Sequence, residues 1–86
     1  MNLLSDLPNI SDNLETKLRL AGICTAEELL SLGSKEAFRK IRGIDSGACL
    51  NSLYALEGAI QGIRWHLLPE EKKLELKEFF NSLKRH

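Results

Sequence analysis

The residues of this 86-residue chain that could do chemistry begin in a short turn near its start. The run Leu7-Pro8-Asn9-Ile10-Ser11 precedes a helical pattern, which is the layout of a helix-hairpin-helix turn. Backbone N–H groups at the start of a helix attract anions, so Asn9, Ser11 and Asn13 could contact a nucleic-acid phosphate. Asn9 and Ser11 stand where this motif usually has glycine, and asparagine tolerates the left-handed backbone that such a turn needs.

The same turn is also consistent with a purely structural role. The Ser11 hydroxyl is well suited to cap the helix that follows, which would keep it from a ligand. Three carboxylates, Asp6, Asp12 and Glu15, would surround a bound phosphate with negative charge. Two interpretations therefore stay open, a turn that only packs helices and a turn that contacts nucleic acid.

A second candidate site is the basic segment 34–43, which carries a net charge of +3, whereas residues 1–33 carry −3. Its basic side chains are those of Lys35, Arg39, Lys40 and Arg42. Four such charges could contact roughly two to four phosphates and give weak, salt-sensitive binding to DNA. The alternative is a solvated helix face. The chain as a whole has 12 basic and 12 acidic residues, which argues mildly against strong autonomous binding of nucleic acid.

The residue pattern predicts no catalytic site, and the chain is not expected to be an enzyme. Glu57 lies among apolar residues, where a lone carboxylate could serve as an acid or a base. No nucleophile or second carboxylate is recognisable near it in the sequence. We therefore expect Glu57 to be partly buried and paired with Arg42 or Arg64.

The cysteines and histidines predict no metal site. Cys24 and Cys49 belong to no pattern of metal ligands, and both are expected to be buried, reduced thiols that act as small hydrophobes. His66 could join a metal site only with His86 and these distant cysteines, which is improbable. Trp65 is expected to anchor the core or, if it is exposed, a protein interface.

Helices alone are expected to position these residues, because the sequence lacks valine and no window alternates cleanly between polar and apolar residues. The predicted fold class is all-α, a compact bundle of five to six short helices forming a single domain over residues 1–86. Caps and breakers predict a turn around 2–7, helices over about 12–21, from Thr25 to Gly33 and over 35–42, a long central helix over about 47–64, and a last helix from Pro69.

The central helix should be the most buried. Its apolar residues run almost all the way around the helix axis, so we expect contacts on several sides. Gly58 and Gly62 lie within it. Because glycine costs about 1 kcal/mol in a helix interior, the two residues indicate close approach by a neighbouring helix.

Capping residues and stripes define the other helices. We expect Ser11 to cap the first, Thr25 and Glu28 to form a capping box on the second, and Ser34 to cap the third, which Gly43 would end. The apolar stripe of the last helix consists of Leu76, Phe79, Phe80 and Leu83. The basic residues at its end, which complement the helix dipole, are Lys84, Arg85 and His86.

Nothing in the sequence predicts a membrane protein or a secreted one. No apolar stretch approaches membrane-spanning length. The first residues lack both the basic region and the apolar run of a secretory signal. A soluble, cytoplasmic protein is therefore expected.

Several ordered motifs resemble the C-terminal domain of the TfoX family, also called Sxy-like. They are Leu7-Pro8-Asn9-Ile10, Ala21-Gly22-Ile23, Leu32-Gly33-Ser34, Leu53-Tyr54-Ala55-Leu56-Glu57-Gly58-Ala59, Trp65 and Leu68-Pro69-Glu70-Glu71-Lys72-Lys73. The family is associated with bacterial natural competence. The resemblance implies an all-helical fold and a regulatory or accessory role in DNA uptake. Full-length members carry an N-terminal domain before this one, and this chain is expected to lack it.

The sequence thus predicts a non-enzymatic regulatory module that presents a helical surface to a protein partner. The alternative is a small helix-hairpin-helix module that contacts DNA phosphates without sequence preference. No cofactor and no small-molecule substrate are expected, and a homodimer is compatible with the sequence.

Overall fold

A computed structural model describes residues 3–84 of the chain. Within them, five α-helices build the fold. They are α1 (Asp12–Leu20), α2 (Ala26–Leu32), α3 (Ser34–Ile44), α4 (Leu50–Gln61) and α5 (Glu70–Leu83). Short 3-10 helices lie at Leu4–Asp6 and Trp65–Leu67, and the described residues contain no strand. The all-α prediction is confirmed. The predicted turn around 2–7 is observed at Leu4–Asp6, and Asn2 lies outside the described residues.

Side-chain caps fix the starts of α1 and α2 as predicted. The Ser11 hydroxyl accepts a hydrogen bond from the Leu14 N–H at 3.2 Å, and the Thr25 hydroxyl accepts one from the Glu28 N–H at 3.1 Å. The Glu28 carboxylate accepts from the N–H of Cys24 at 3.2 Å, one residue before the partner expected in a capping box. These local bonds satisfy N–H groups that a helix start leaves without helical partners.

Helix α3 differs from the prediction at both ends. Gly33 is the residue that precedes it, and Ser34 is its first residue, with its hydroxyl bonded to Glu57 instead of capping the helix. Gly43 does not end the helix, which continues to Ile44. A glycine can stay helical at a cost of about 1 kcal/mol, and the Asp45 N–H donates to the carbonyl of Ile41 at 2.8 Å to complete the last turn.

Helix α4 is shorter than predicted at both ends. It starts at Leu50, because the preceding segment forms a turn in which the Asp45 carboxylate accepts from the Gly47 N–H at 3.0 Å. It ends at Gln61, because Gly62 takes a left-handed backbone with φ of +74°. Gly62 is thus the helix stop. Among the described helices, the longest is α5 with 14 residues, against 12 in α4.

Gly58 confirms the predicted close approach, although the neighbour is a connecting segment and not a helix. A Cβ atom at this position would lie 2.6 Å from Nδ2 of Asn9 and 2.9 Å from the carbonyl oxygen of Ile63. The second contact is with backbone, which cannot move aside easily. The position therefore requires the absence of a side chain.

The core surrounds α4, which packs against α3, α5 and the 3-10 helix at Trp65–Leu67. Phe38 of α3 and Phe80 of α5 meet within it, with ring centroids 5.9 Å apart. The predicted stripe of α5 is confirmed, since Leu76 and Phe80 are buried while Phe79 and Leu83 pack at the edge of the core. Lys84 follows the end of α5 as predicted. The other two predicted basic residues at this end, Arg85 and His86, lie outside the described residues.

Candidate functional site

The N-terminal turn has the predicted backbone at Asn9, whose φ is +69°. The Asn9 side chain is engaged within the protein. Its Nδ2 donates to the carbonyl oxygens of Ile63 at 2.9 Å and Ala55 at 3.5 Å, and its Oδ1 accepts from the Trp65 N–H at 3.2 Å. Asn9 therefore clamps the turn onto the segment that follows α4, and its amide has little capacity left for a ligand.

A cavity of about 250 Å³ lies between the starts of α1 and α4. It brings together four residues that the sequence analysis singled out, Asn9, Ser11, Asn13 and Trp65, and adds Leu14, Lys17, Asn51, Ser52 and Ala55. Most polar groups that line it are amides and hydroxyls, which exchange hydrogen bonds but do not titrate near neutral pH. The arrangement suits recognition more than acid–base chemistry.

Sequence reasoning missed the α4 side of this cavity. Asn51 and Ser52 lie in the first turn of α4, facing the start of α1 across the cavity. A helix that started at 47 would have placed both residues in its second turn. Because the start of α4 was predicted three residues too early, the sequence did not indicate that Asn51 and Ser52 would face the start of α1.

The charges around the cavity are largely compensated. The Lys17 ammonium lies 2.6 Å from the Asp45 carboxylate. Hydrogen bonds from Lys17 and from the Gly47 N–H lower the pKa of Asp45 below its ordinary value. The first turn of α1 adds the carboxylates of Asp12 and Glu15. Of these two, Glu15 is paired with Arg19 at 3.2 Å.

The basic residues of α3 do not line this cavity. Lys35, Arg39 and Arg42 lie on the flank of α3 next to α5, against aromatic rings. The Lys35 ammonium and the Arg39 guanidinium lie 5.8 Å and 5.7 Å from the ring centroid of Phe79. The guanidinium of Arg42 lies 5.6 Å from that of Phe80. These distances are those of cation–π contacts.

A fourth cation on this flank comes from the residue that follows α5 and not from α3. The Lys84 ammonium lies 4.8 Å from the ring centroid of Phe80. Lys40 is exposed and lies about 140° around the α3 axis from Lys35, since each residue turns the helix by about 100°. We call the set Lys35, Arg39, Arg42, Lys84, Phe79 and Phe80 the basic–aromatic strip. The sequence could not reveal the place of Lys84, which depends on how α5 packs.

The cations of the strip differ in their acidic partners. Lys35 lies 2.6 Å from the carboxylate of Glu75, and Arg39 lies 4.0 Å from that of Glu36. Hydrogen bonds from Lys35 and from Lys72 lower the pKa of Glu75. Within residues 3–84, no carboxylate lies within ion-pair distance of the two remaining strip cations, Arg42 and Lys84.

Glu57 does not pair with Arg42 or Arg64, contrary to the prediction. Its carboxylate accepts from the Ser34 hydroxyl at 2.5 Å and from the side-chain amide of Gln61 at 2.6 Å. Arg42 is drawn instead to the ring of Phe80, and Arg64 follows the end of α4 as an exposed residue. Ser34 is only 4% exposed, so the pair serves the packing of α3 on α4.

The prediction of buried cysteines is wrong. Cys24 and Cys49 are both exposed and free, because each lies in a connection just before a helix and not on an inward helix face. A hydrogen bond from the Ser52 N–H lowers the pKa of Cys49. In the described part of the chain, no cluster of histidine, cysteine and acidic residues could hold a metal ion. Nor does any helix in that part combine the length and apolar character required to cross a membrane.

Trp65 lies half-buried at the edge of the core. Its ring stacks on those of Tyr54 and His66, with centroids 5.7 Å and 4.0 Å away. It therefore anchors the core, as one of the two predicted roles requires. Seven large apolar side chains within residues 3–84 are exposed, and the sequence did not identify them as candidate interface residues. They are Leu3, Leu20, Leu30, Leu32, Ile44, Leu67 and Leu74.

Comparison with known proteins links this fold to a family. A profile described as the TfoX C-terminal domain matches residues 1–80. Protein Sxy of Escherichia coli is 40% identical over 80 residues, which are 93% of this chain and 38% of that protein. DNA transformation protein TfoX1 of Aliivibrio fischeri is 32% identical over 74 residues, which are 85% of this chain and 35% of that protein. The chain thus aligns with less than two fifths of either relative.

Two crystal structures of Listeria monocytogenes proteins share the fold. The triclinic form of an uncharacterized protein has a TM-score of 0.95 and 58% identity, covering 98% of this chain and 96% of that one. The tetragonal form of a protein of unknown function has a TM-score of 0.92 and 60% identity, covering 93% and 98%. The helical arrangement described above is therefore one that related chains adopt in crystals.

Proposed function

We propose that this chain, which belongs to the TfoX C-terminal domain family, is a regulatory module in DNA transformation that acts by binding a protein partner. The relative TfoX1 is called a DNA transformation protein, which supports a role of this chain in the same process. The chain aligns with 35% of TfoX1. The part of TfoX1 that this chain matches is proposed to supply the contact with a partner.

The exposed apolar side chains carry this proposal. Leu20, Leu67 and Leu74 are 71%, 69% and 58% exposed, although each could be buried against a partner without a change of fold. Burying such a side chain contributes up to about 2 kcal/mol. Two or three such leucines that met one partner would together contribute roughly 4–6 kcal/mol before the costs of association.

The polar groups of the described residues favour binding over catalysis. The cavity between α1 and α4 is lined mainly by amides and hydroxyls, and its lysine is paired with Asp45. Glu57, the carboxylate best placed among apolar residues, is bonded to Ser34 and Gln61. We infer that the module regulates without a chemical step of its own.

A serine scan of the seven exposed apolar positions tests the proposal. Substitutions at well-exposed positions usually change the free energy of unfolding by about 0.5 kcal/mol. Leu32 is only 36% exposed and should lose more, so the comparison uses the variants that stay folded in a thermal melt. We expect one to three adjacent positions to abolish the effect of the chain on transcription of DNA-uptake genes. Full regulation by every folded variant would contradict the proposed mode of action.

A second candidate function is DNA contact through the N-terminal turn, and the left-handed backbone of Asn9 favours it. The Ser11 hydroxyl and the Asn9 amide are both occupied, which leaves Asn13 as the turn side chain able to reach a phosphate. Asn13→Asp would place a carboxylate there. If the turn binds DNA, this variant should bind DNA more weakly. An unchanged affinity would show that the turn is not a DNA contact.

A further inference from the structure

We infer that the basic–aromatic strip is a separate surface that binds the phosphate backbone of duplex DNA without reading its sequence. The strip lies between α3 and α5, whereas the N-terminal turn lies at the start of α1 and shares none of its residues. The inference goes beyond the proposed protein contact, because either surface could act without the other.

The cations of the strip form a row. Lys35, Arg39 and Arg42 stand at positions i, i+4 and i+7 of α3, so they share one side of the helix. The row extends over about 10 Å at about 1.5 Å per residue. Measured along the duplex axis, this length corresponds to about three base-pair steps at a rise of about 3.4 Å per step. Such a row can follow a phosphate backbone, and Lys84 extends it on the α5 side.

The rings of Phe79 and Phe80 contact the cations of the strip and are not available to stack on bases. Phe80 is only 9% exposed and has Arg42 and Lys84 against it. Phe79 is half-buried, and Lys35 and Arg39 lie against it. Ordered cations lose less side-chain entropy when they bind. Because their faces are covered by cations, the rings are poor platforms for stacking with unpaired bases, and this favours a duplex over a single strand.

The acidic neighbours do not neutralise the strip. The Lys35–Glu75 and Arg39–Glu36 pairs are both about half exposed, with side-chain exposures of 42% and 47% in the first and 58% and 52% in the second. Ion pairs this exposed are weak, because water and salt screen them. A phosphate can therefore replace either carboxylate at low cost, and Arg42 and Lys84 have no such competitor within the described residues.

Anisotropy titrations of the purified chain with a labelled duplex test the inference. With three to four phosphate contacts, the plot of log K against log salt concentration should have a slope of about −3 between ~50 and ~200 mM salt. A duplex of unrelated sequence should bind with the same affinity. A single strand of the same length should bind more weakly.

Two adjacent residues of α3 provide a matched pair of variants. Arg39→Glu changes the strip, and Lys40→Glu makes the same change of charge on the other flank. Loss of one released counterion should cost Arg39→Glu about tenfold in affinity at ~50 mM salt and make the slope shallower by about 1. Lys40→Glu should lose clearly less affinity than Arg39→Glu, because its charge acts on the DNA only from a distance and is screened as the salt concentration rises.

Three results would overturn the inference: no binding at ~50 mM salt, equal losses from Arg39→Glu and Lys40→Glu, or a loss from Asn13→Asp with none from Arg39→Glu. Each variant is checked by its thermal melt, and Lys84→Glu, just after the end of α5, provides an independent strip variant. Serine variants of Leu67 and Leu74 should keep wild-type affinity for DNA. A failure here would therefore leave the proposed protein contact untouched.

Discussion

Replacement of Gly58 by alanine should strongly destabilise the protein, although alanine is the better helix former. In an open helix the change would stabilise by about 1 kcal/mol. Here the new Cβ atom would lie 2.6 Å from Nδ2 of Asn9, 2.9 Å from the Ile63 carbonyl oxygen and 3.1 Å from Cα of Trp65. The Asn9 clamp and the segment after α4 would both have to shift.

The size of the effect follows from the bonds of the clamp. Asn9 bonds to Ile63 and Trp65 at 2.9 Å and 3.2 Å, each bond worth about 1 kcal/mol. A longer and weaker bond reaches Ala55 at 3.5 Å, and displaced packing adds to the loss. After subtracting the gain in helix propensity, we expect Gly58→Ala to lower the free energy of unfolding by about 2–4 kcal/mol. The melting temperature should fall by roughly 10–20 °C in a domain of this size.

Gly43→Ala is the matched control, because it lies in α3 and a Cβ atom there would meet nothing within 4 Å. It should leave the melting temperature unchanged or raise it slightly. Urea and thermal denaturation followed by circular dichroism measure both variants. If Gly58→Ala proved as stable as the wild type, the close approach at this position and the clamp built on it would be refuted.

Three further predictions concern titration, reactivity and a buried hydroxyl. The bond to Lys17 is the main reason that Asp45 has a lowered pKa in the folded state. Its contribution to stability is therefore complete above the unfolded pKa of about 4 and is lost as the pH falls through the lower folded pKa. The difference in melting temperature between the wild type and Asp45→Asn should close in acid, and a difference that stays constant to pH ~2 would contradict this linkage. Because the pKa of Cys49 is lowered, this thiol should react with iodoacetamide near neutral pH faster than Cys24 does. Peptide mapping by mass spectrometry measures both rates, and equal rates would contradict the prediction. Ser34→Ala removes the hydroxyl that donates to Glu57 and should lower the free energy of unfolding by about 1–3 kcal/mol in urea titrations, whereas an unchanged value would mean that the bond is not formed in solution.

Local signals were enough to predict the fold class and several helix starts. Ser11 and Thr25 cap helices because their hydroxyls bond to N–H groups three residues away, which requires no knowledge of the rest of the fold. Asn9 was likewise predicted as a left-handed residue from its type and its place in the turn. Such contacts span few residues, and the sequence shows both partners side by side.

Tertiary contacts decided the features that could not be predicted. Gly58 and Gly62 are the same residue type four positions apart, yet one meets a packed segment and the other ends the helix. Ser34 looked like a cap because its partner, Glu57, lies 23 residues further along the chain. The basic–aromatic strip needed the packing of α5 on α3, so Lys84 could not be assigned to it in advance.

The most direct test of the proposed function is transcription of DNA-uptake genes in the bacterium that encodes this chain, measured after deletion of its coding sequence and after complementation. We predict that deletion changes transcription, that the wild-type chain restores it, and that at least one folded serine variant among the exposed leucines fails to do so. Transcription and transformation frequency that stay unchanged after deletion would contradict a role in DNA transformation.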